Sequence, residues 1–118
     1  MSAEYIRELP NDIPVKIAVE KVFKQDERDS CFKLECRVCD GEFVGSKINL
    51  FFYREKKAGG PRLDTKRLLE ALNPGLKAEE CPSYSLADKI FETTPWHPFE
   101  SKYQMFGHFK YVGMSDAY

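Results

Sequence analysis

The feature that most constrains the fold is a segment in which apolar and charged side chains alternate. The segment reads, in order, Phe32, Lys33, Leu34, Glu35, Cys36, Arg37 and Val38. Because successive side chains of a β-strand point to opposite faces of its sheet, the four apolar residues share one face. The charged residues then share the other face. This pattern predicts a strand that is buried on one side only.

The cysteines in and around this segment raise the question of a metal site. The spacing of Cys36 and Cys39 resembles half a zinc knuckle, and the spacing from Cys31 to Cys39 matches the first three ligands of plant-type iron–sulfur ferredoxins. In a continuous strand, however, Cys31 and Cys39 would be about 26 Å apart, and Cys36 would point into the core. A tetrahedral zinc site also needs a second clustered pair, but the other candidates are scattered singly: Cys81, His97 and His108.

We therefore expect four reduced structural cysteines, with no metal and no other cofactor. The alternative is a domain whose fold is stabilised by a bound metal ion. This alternative predicts metal in the purified protein and unfolding by a chelator.

Similar patterns elsewhere predict the remaining elements. Strands are expected over 13–24, 46–55 and 101–114, and Gly107 marks a bulge or a close approach of another group in the last of these. A helix capped by Asp64 or Thr65 should bury Leu68, Leu69 and Leu72 and end at 73–75. Residues 85–98 suit a short helix or a strand equally, and the structure of 76–100 is left open.

This order of elements indicates a mainly β protein with one or two short helices. Three strands in a meander, a helix and one or two further strands are typical of the OB-fold, a partly open five-stranded β-barrel. Residues 1–118 are expected to form a single domain, with a short N-terminal extension over residues 1–12.

Composition excludes several classes of protein. The chain is 42% hydrophobic, too apolar for disorder, yet it has no stretch near the roughly 20 apolar residues of a membrane span. Its N-terminus does not resemble a signal peptide, so a cytoplasmic protein is expected. It contains no Gly-rich phosphate loop, H-E-x-x-H or G-x-S-x-G motif, and an enzyme is not expected. The net charge of −1 hides a local excess of Lys and Arg over 54–67.

The turn after the cysteine strand, together with the strand and helix that follow, carries a resemblance to a known group. Over roughly residues 13–75 the chain resembles OB-fold proteins of phages and mobile elements that are similar to single-stranded-DNA-binding proteins. The matching residues are Asp40, Gly41, Glu42, Phe43, Gly45 and Lys47 in the turn, and Leu68, Leu69 and Leu72 in the helix.

The resemblance implies binding of single-stranded DNA in replication or recombination, within the cytoplasm of a host cell. Such binding needs cations along a groove and exposed rings on which bases stack. The expected stacking residues are Phe51, Tyr53 and Trp96. The expected phosphate ligands are Lys33, Arg37, Lys47, Arg54, Lys56, Lys57 and Arg62.

Two further expectations concern partners. An exposed aromatic edge favours a homodimer, and a replication or recombination protein is the expected protein partner. The alternative function is a non-enzymatic interaction module that binds or inhibits a host protein through the same barrel. Near-neutral net charge and acidic turns favour that alternative, and the salt dependence of binding separates the two.

Overall fold

A computed structural model describes residues 4–115 and shows a mainly β protein. It contains five strands, one α-helix and two short 3-10 turns over Ala78–Glu80 and Ser83–Leu86. The longer elements are β1 (Val15–Lys24), β2 (Cys31–Val38), β3 (Lys47–Tyr53), α1 (Leu63–Leu72), β4 (Lys89–Trp96) and β5 (Met105–Met114). The segment that suited a helix or a strand equally is therefore a 3-10 turn followed by β4.

The five strands form one antiparallel sheet in the order β3-β2-β1-β4-β5. This order is compatible with an OB-fold barrel, and the predicted fold class is confirmed. The barrel is not closed, because within residues 4–115 no strand pairing joins β3 to β5. We call the gap between these two edge strands the seam.

The predicted alternation of β2 is confirmed. Its four apolar side chains, including that of Cys36, are buried, and the three charged residues between them are half-buried. β3 alternates in the same way, and the ring of Phe52 stacks on that of Phe32 with 5.9 Å between the centroids. The two strands thus give one face to the core and leave the other accessible.

Helix α1 packs beneath the barrel through Leu68, Leu69 and Leu72, as predicted. It begins earlier than predicted, at Leu63, and no side chain caps it. The predicted cap by Asp64 or Thr65 is wrong because both residues lie inside the helix, and the Thr65 hydroxyl donates instead to the carbonyl of Tyr53, 2.7 Å away. The helix ends before Asn73, as the sequence indicates.

No helix within residues 4–115 is both long and apolar enough to cross a membrane.

Bulges in β1 and β5 change which face of the sheet the following side chains point to. In β1 the pairing with β2 shifts between Val19 and Lys21, so Glu20 is an extra residue. Beyond this bulge Val22 packs on the core and Phe23 points outward, whereas unbroken alternation from Val19 would bury Phe23. In β5 the register shifts beside Gly107, which confirms the predicted bulge.

The N-terminal segment closes one end of the seam. Residues 4–6 pair with β3, since Lys47 donates to the carbonyl of Glu4 and accepts from the amide of Ile6. The segment then crosses the seam, where buried Leu9 exchanges two hydrogen bonds with the side chain of Gln104. Most of the predicted extension is therefore part of the barrel, and its residues 1–3 lie outside the described residues.

Candidate nucleic-acid interface

The outer faces of β2 and β3 form one surface, because the two strands pair in register. Lys33 lies opposite Phe51, and Arg37 lies opposite Lys47. Phe51 is 57% exposed and Tyr53 is 49% exposed, and the described N-terminal residues leave both rings open to solvent. Five of the predicted site residues thus share what we call the sheet patch: Lys33, Arg37, Lys47, Phe51 and Tyr53.

Three cations of the sheet patch have acidic neighbours. Lys33 lies 3.4 Å from Glu35, and the side chains of Arg37 and Lys47 both lie 3.6 Å from the carboxylate of Glu20. The sequence did not indicate the role of Glu20, because its proximity to Arg37 and Lys47 depends on how β1, β2 and β3 pair. Ion pairs this exposed contribute little to stability, typically about 0–1 kcal/mol, so a phosphate can replace the carboxylate at small cost.

A groove of about 760 Å³ occupies the open end of the seam. Its walls are the end of β3 with the following loop, the first turn of α1, and the residues from the end of β4 to β5. Three exposed rings line it, those of Tyr53, Trp96 and Tyr103, with Trp96 45% and Tyr103 76% exposed. Trp96 therefore does not close an end of the barrel; its ring is available at the groove.

Four cations also line this groove: Lys56, Lys57, Arg62 and Arg67. Arg62 donates to both carboxylate oxygens of Asp64, at 3.2 and 3.1 Å. Within residues 4–115, Lys56, Lys57 and Arg67 take part in no ion pair of 4 Å or less. The groove thus combines aromatic walls with four cations and two carboxylates, Glu55 and Asp64, and within residues 4–115 only Arg62 among these cations forms an ion pair.

Tyr53 belongs to both the sheet patch and the groove, and so joins them into one surface. The adjacent Cys31 thiol raises the pKa of Tyr53, and burial raises the pKa of Cys31. Both side chains are therefore neutral at pH 7, where the reference values already favour the protonated forms. The junction accordingly adds no negative charge that would repel a phosphate.

Arg54 is the predicted phosphate ligand that the structure places elsewhere. Its guanidinium donates to the backbone and carboxylate of Asp29 and to the carbonyls of Ala78 and Cys81, at 2.6 to 3.2 Å. Asp29 in turn accepts from the amide and hydroxyl of Ser83. Arg54 thus ties the β1–β2 loop to the segment after α1, and we leave it out of the interface.

The cysteines occupy the positions that a strand requires. Cys31 begins β2, Cys39 follows its end, and the strand between them is unbroken. Cys36 is buried in the core, and this burial raises the pKa of its thiol. In the part of the chain that the structure describes, no group of three or more His, Cys, Asp or Glu side chains could hold a metal ion.

Two residues of the interface were missed by the sequence analysis. Tyr103 lies just before β5, in a segment that was predicted to be a strand. Arg67 lies on α1, and whether its side chain points toward the groove depends on how that helix packs. Only the aromatic and basic composition of these two segments could have pointed to them.

Comparisons with known proteins give no relative from which a function could be transferred. No family model matches the chain, no curated protein matches it, and no solved structure matches it. The resemblance of roughly residues 13–75 to OB-fold proteins of phages and mobile elements therefore stays a prediction. Function has to be inferred from the chemistry of the surface itself.

Proposed function

We propose that this protein binds single-stranded DNA, in the cytoplasm of a host cell and in the replication or recombination of a phage or mobile element. The observation that carries the DNA-binding proposal is the continuity of the sheet patch and the groove at Tyr53. One surface thereby presents exposed rings from β3, β4 and the loop before β5, next to Lys56, Lys57 and Arg67, which form no ion pair within residues 4–115.

This combination favours an unpaired strand over a duplex. Rings stack on the faces of bases, and those faces are covered by neighbouring base pairs in a double helix. Stacking of this kind contributes about 1–3 kcal/mol per base and is tolerant of sequence, because every base has such a face. The phosphates that link the stacked bases would then meet Lys56, Lys57 and Arg67 along the groove, and Lys33 on the sheet patch.

The distribution of charge supports the same function. A net charge of −1 gives no long-range attraction to DNA, so binding depends on the local cluster of cations around the groove. Binding through such a cluster releases counterions from the strand, and the affinity falls steeply as salt is added. Salt dependence therefore distinguishes this function from an apolar contact with a protein.

The experiment is fluorescence anisotropy with a labelled oligo-dT at two salt concentrations. The wild-type protein should bind at low salt and weaken at high salt, and Phe51→Ala/Tyr53→Ala should lose most of the affinity while staying folded. Tyr84→Ala is the control, because Tyr84 is an exposed ring outside the groove. Absence of binding by the wild type at low salt would refute the proposal.

The alternative function, an interaction module for a host protein, is favoured by a different region. Exposed Tyr5, Ile13 and Val44 lie toward the end of the barrel where β1 and β3 begin. If host extract yields a partner that is lost with Val44→Asp, and oligo-dT does not bind, this alternative replaces the first. Sedimentation of the wild-type protein would test the expected homodimer.

A further inference from the structure

The β1 bulge places an exposed ring beside the sheet patch. Phe23 lies opposite Lys33, which lies opposite Phe51, so the three residues form a row across three strands. Phe23 is 41% exposed, and its ring lies 4.9 Å from Nζ of Lys33. The row therefore presents a ring, a cation and a second ring on one face of the sheet.

We infer that Phe23 and Lys33 form a further binding site for one nucleotide, with the base on Phe23 and its phosphate on Lys33. This inference rests on the proposed function and extends it. The bound strand would run from Phe23 to Phe51, turn along β3 to Tyr53, and enter the groove.

The spacing of the rings suits this path. Phe23 and Phe51 are two strands apart, about 10 Å, and Phe51 and Tyr53 are two residues apart on one strand, about 7 Å. With Trp96 and Tyr103 in the groove, the path offers five rings. A surface of five rings agrees with the roughly 4–16 nucleotides that a single OB-fold occupies.

The charges along the row favour a phosphate there. Lys21 and Lys33 point to the outer face beside Phe23, and Glu35 is the carboxylate opposite Lys21 and 3.4 Å from Lys33. Because the pair of Lys33 and Glu35 is partly exposed, a phosphate can compete for the ammonium group. The Lys33 ammonium lies over the Phe23 ring, so a base that stacks there takes its place on the ring, and the displaced ammonium binds the phosphate of that nucleotide.

The test measures affinity for oligo-dT of increasing length, from about 4 to about 16 nucleotides, the range of single OB-fold sites. Phe23→Ala should weaken binding of the long strands by about 5-fold to 150-fold, as the loss of one stacked base requires. The shortest strands, which the groove and Tyr53 can hold, should bind both proteins alike. Phe23→Leu should lose affinity to the same extent, since it keeps apolar bulk but has no ring.

Three results would overturn the inference. If Phe23→Ala binds every length like the wild type while Phe51→Ala/Tyr53→Ala is impaired, the proposed function stands and the further site does not exist. If Phe23→Leu binds with full affinity while Phe23→Ala binds weakly, the loss in Phe23→Ala comes from lost packing and not from lost stacking. No binding of any length by the wild type would refute the proposed function as well. Tyr84→Ala again serves as the control.

Discussion

The two ends of the seam differ in what covers the unpaired edges of β3 and β5. At one end the N-terminal segment crosses from β3 to the start of β5, and Gln104 binds both backbone groups of Leu9. At the other end β3 and β5 are not paired within residues 4–115, and the groove lies between them. The neighbours of Gln104 on either side, Tyr103 and Met105, line that groove.

The difference shows that one end of a gap in a sheet can stabilise the fold while the other end provides a binding surface. At the closed end, polar backbone groups are hydrogen-bonded and Leu9 adds its side chain to the core. At the open end, rings and cations stay exposed, which costs little stability but leaves a surface that a ligand can cover. Substitutions at the two ends should therefore change different quantities.

The largest expected effect lies at the closed end. Leu9→Ala removes a buried side chain from the core and should lower the free energy of unfolding by about 2–5 kcal/mol. Urea denaturation measures the change. The affinity of the folded variant for oligo-dT should stay that of the wild type, and a weaker affinity would mean that the two ends are not independent.

Arg54 directly follows the groove residue Tyr53 in sequence, and its substitution tests whether it stabilises the fold or binds phosphate. Arg54→Ala removes the donor to the carbonyls of Asp29, Ala78 and Cys81 and leaves the Asp29 carboxylate with Ser83 as its donor, so it should destabilise the protein by about 1.5–3 kcal/mol. Urea denaturation again measures it, and the salt dependence of DNA binding should not change. Unchanged stability with a smaller salt dependence would instead make Arg54 a phosphate ligand, as its sequence position predicts.

Tyr103 and Phe99 provide a matched pair within one loop. Both rings are highly exposed, but only Tyr103 lines the groove. Tyr103→Ala should weaken oligo-dT binding by about 1–3 kcal/mol, the contribution of one stacked base, without altering stability. Phe99→Ala should bind like the wild type. Equal losses in anisotropy titrations of both variants would show that the loop, not the groove, binds the strand.

The smallest expected effect concerns single cations. Lys57 lines the groove, whereas Lys66, on α1, lines a separate hollow beside Glu79. Lys57→Ala should reduce the slope of log affinity against log salt by about 0.7, the value for one phosphate contact on a single strand. Lys66→Ala removes the same charge and should leave that slope unchanged. A similar decrease in both variants would indicate attraction by net charge alone.

Local alternation was sufficient to predict most of the fold. The faces of β2 and β3 and the buried stripe of α1 follow from side-chain periodicity, and the end of that helix follows from the Asn-Pro-Gly sequence at 73–75; both are properties of neighbouring residues. The same reasoning placed Phe51 and Tyr53 on one surface with Lys33, because both strands keep their register.

The remaining features depend on contacts between distant parts of the chain. The β1 bulge is a matter of register with β2, and it alone turns Phe23 outward. Arg54 is drawn from the surface by Asp29 and by the Cys81 carbonyl, 25 and 27 residues away in sequence. The groove itself exists only because β3 and β5 meet without pairing, and no local pattern indicates that.

The most direct test of the open end uses the protein's own fluorescence. The chain contains one tryptophan, and Trp96 lies in the groove. Titration with oligo-dT should change the Trp96 emission saturably, in parallel with the anisotropy of the labelled strand, and added salt should reverse the change. Binding seen by anisotropy without any change in Trp96 emission would contradict a strand in this groove.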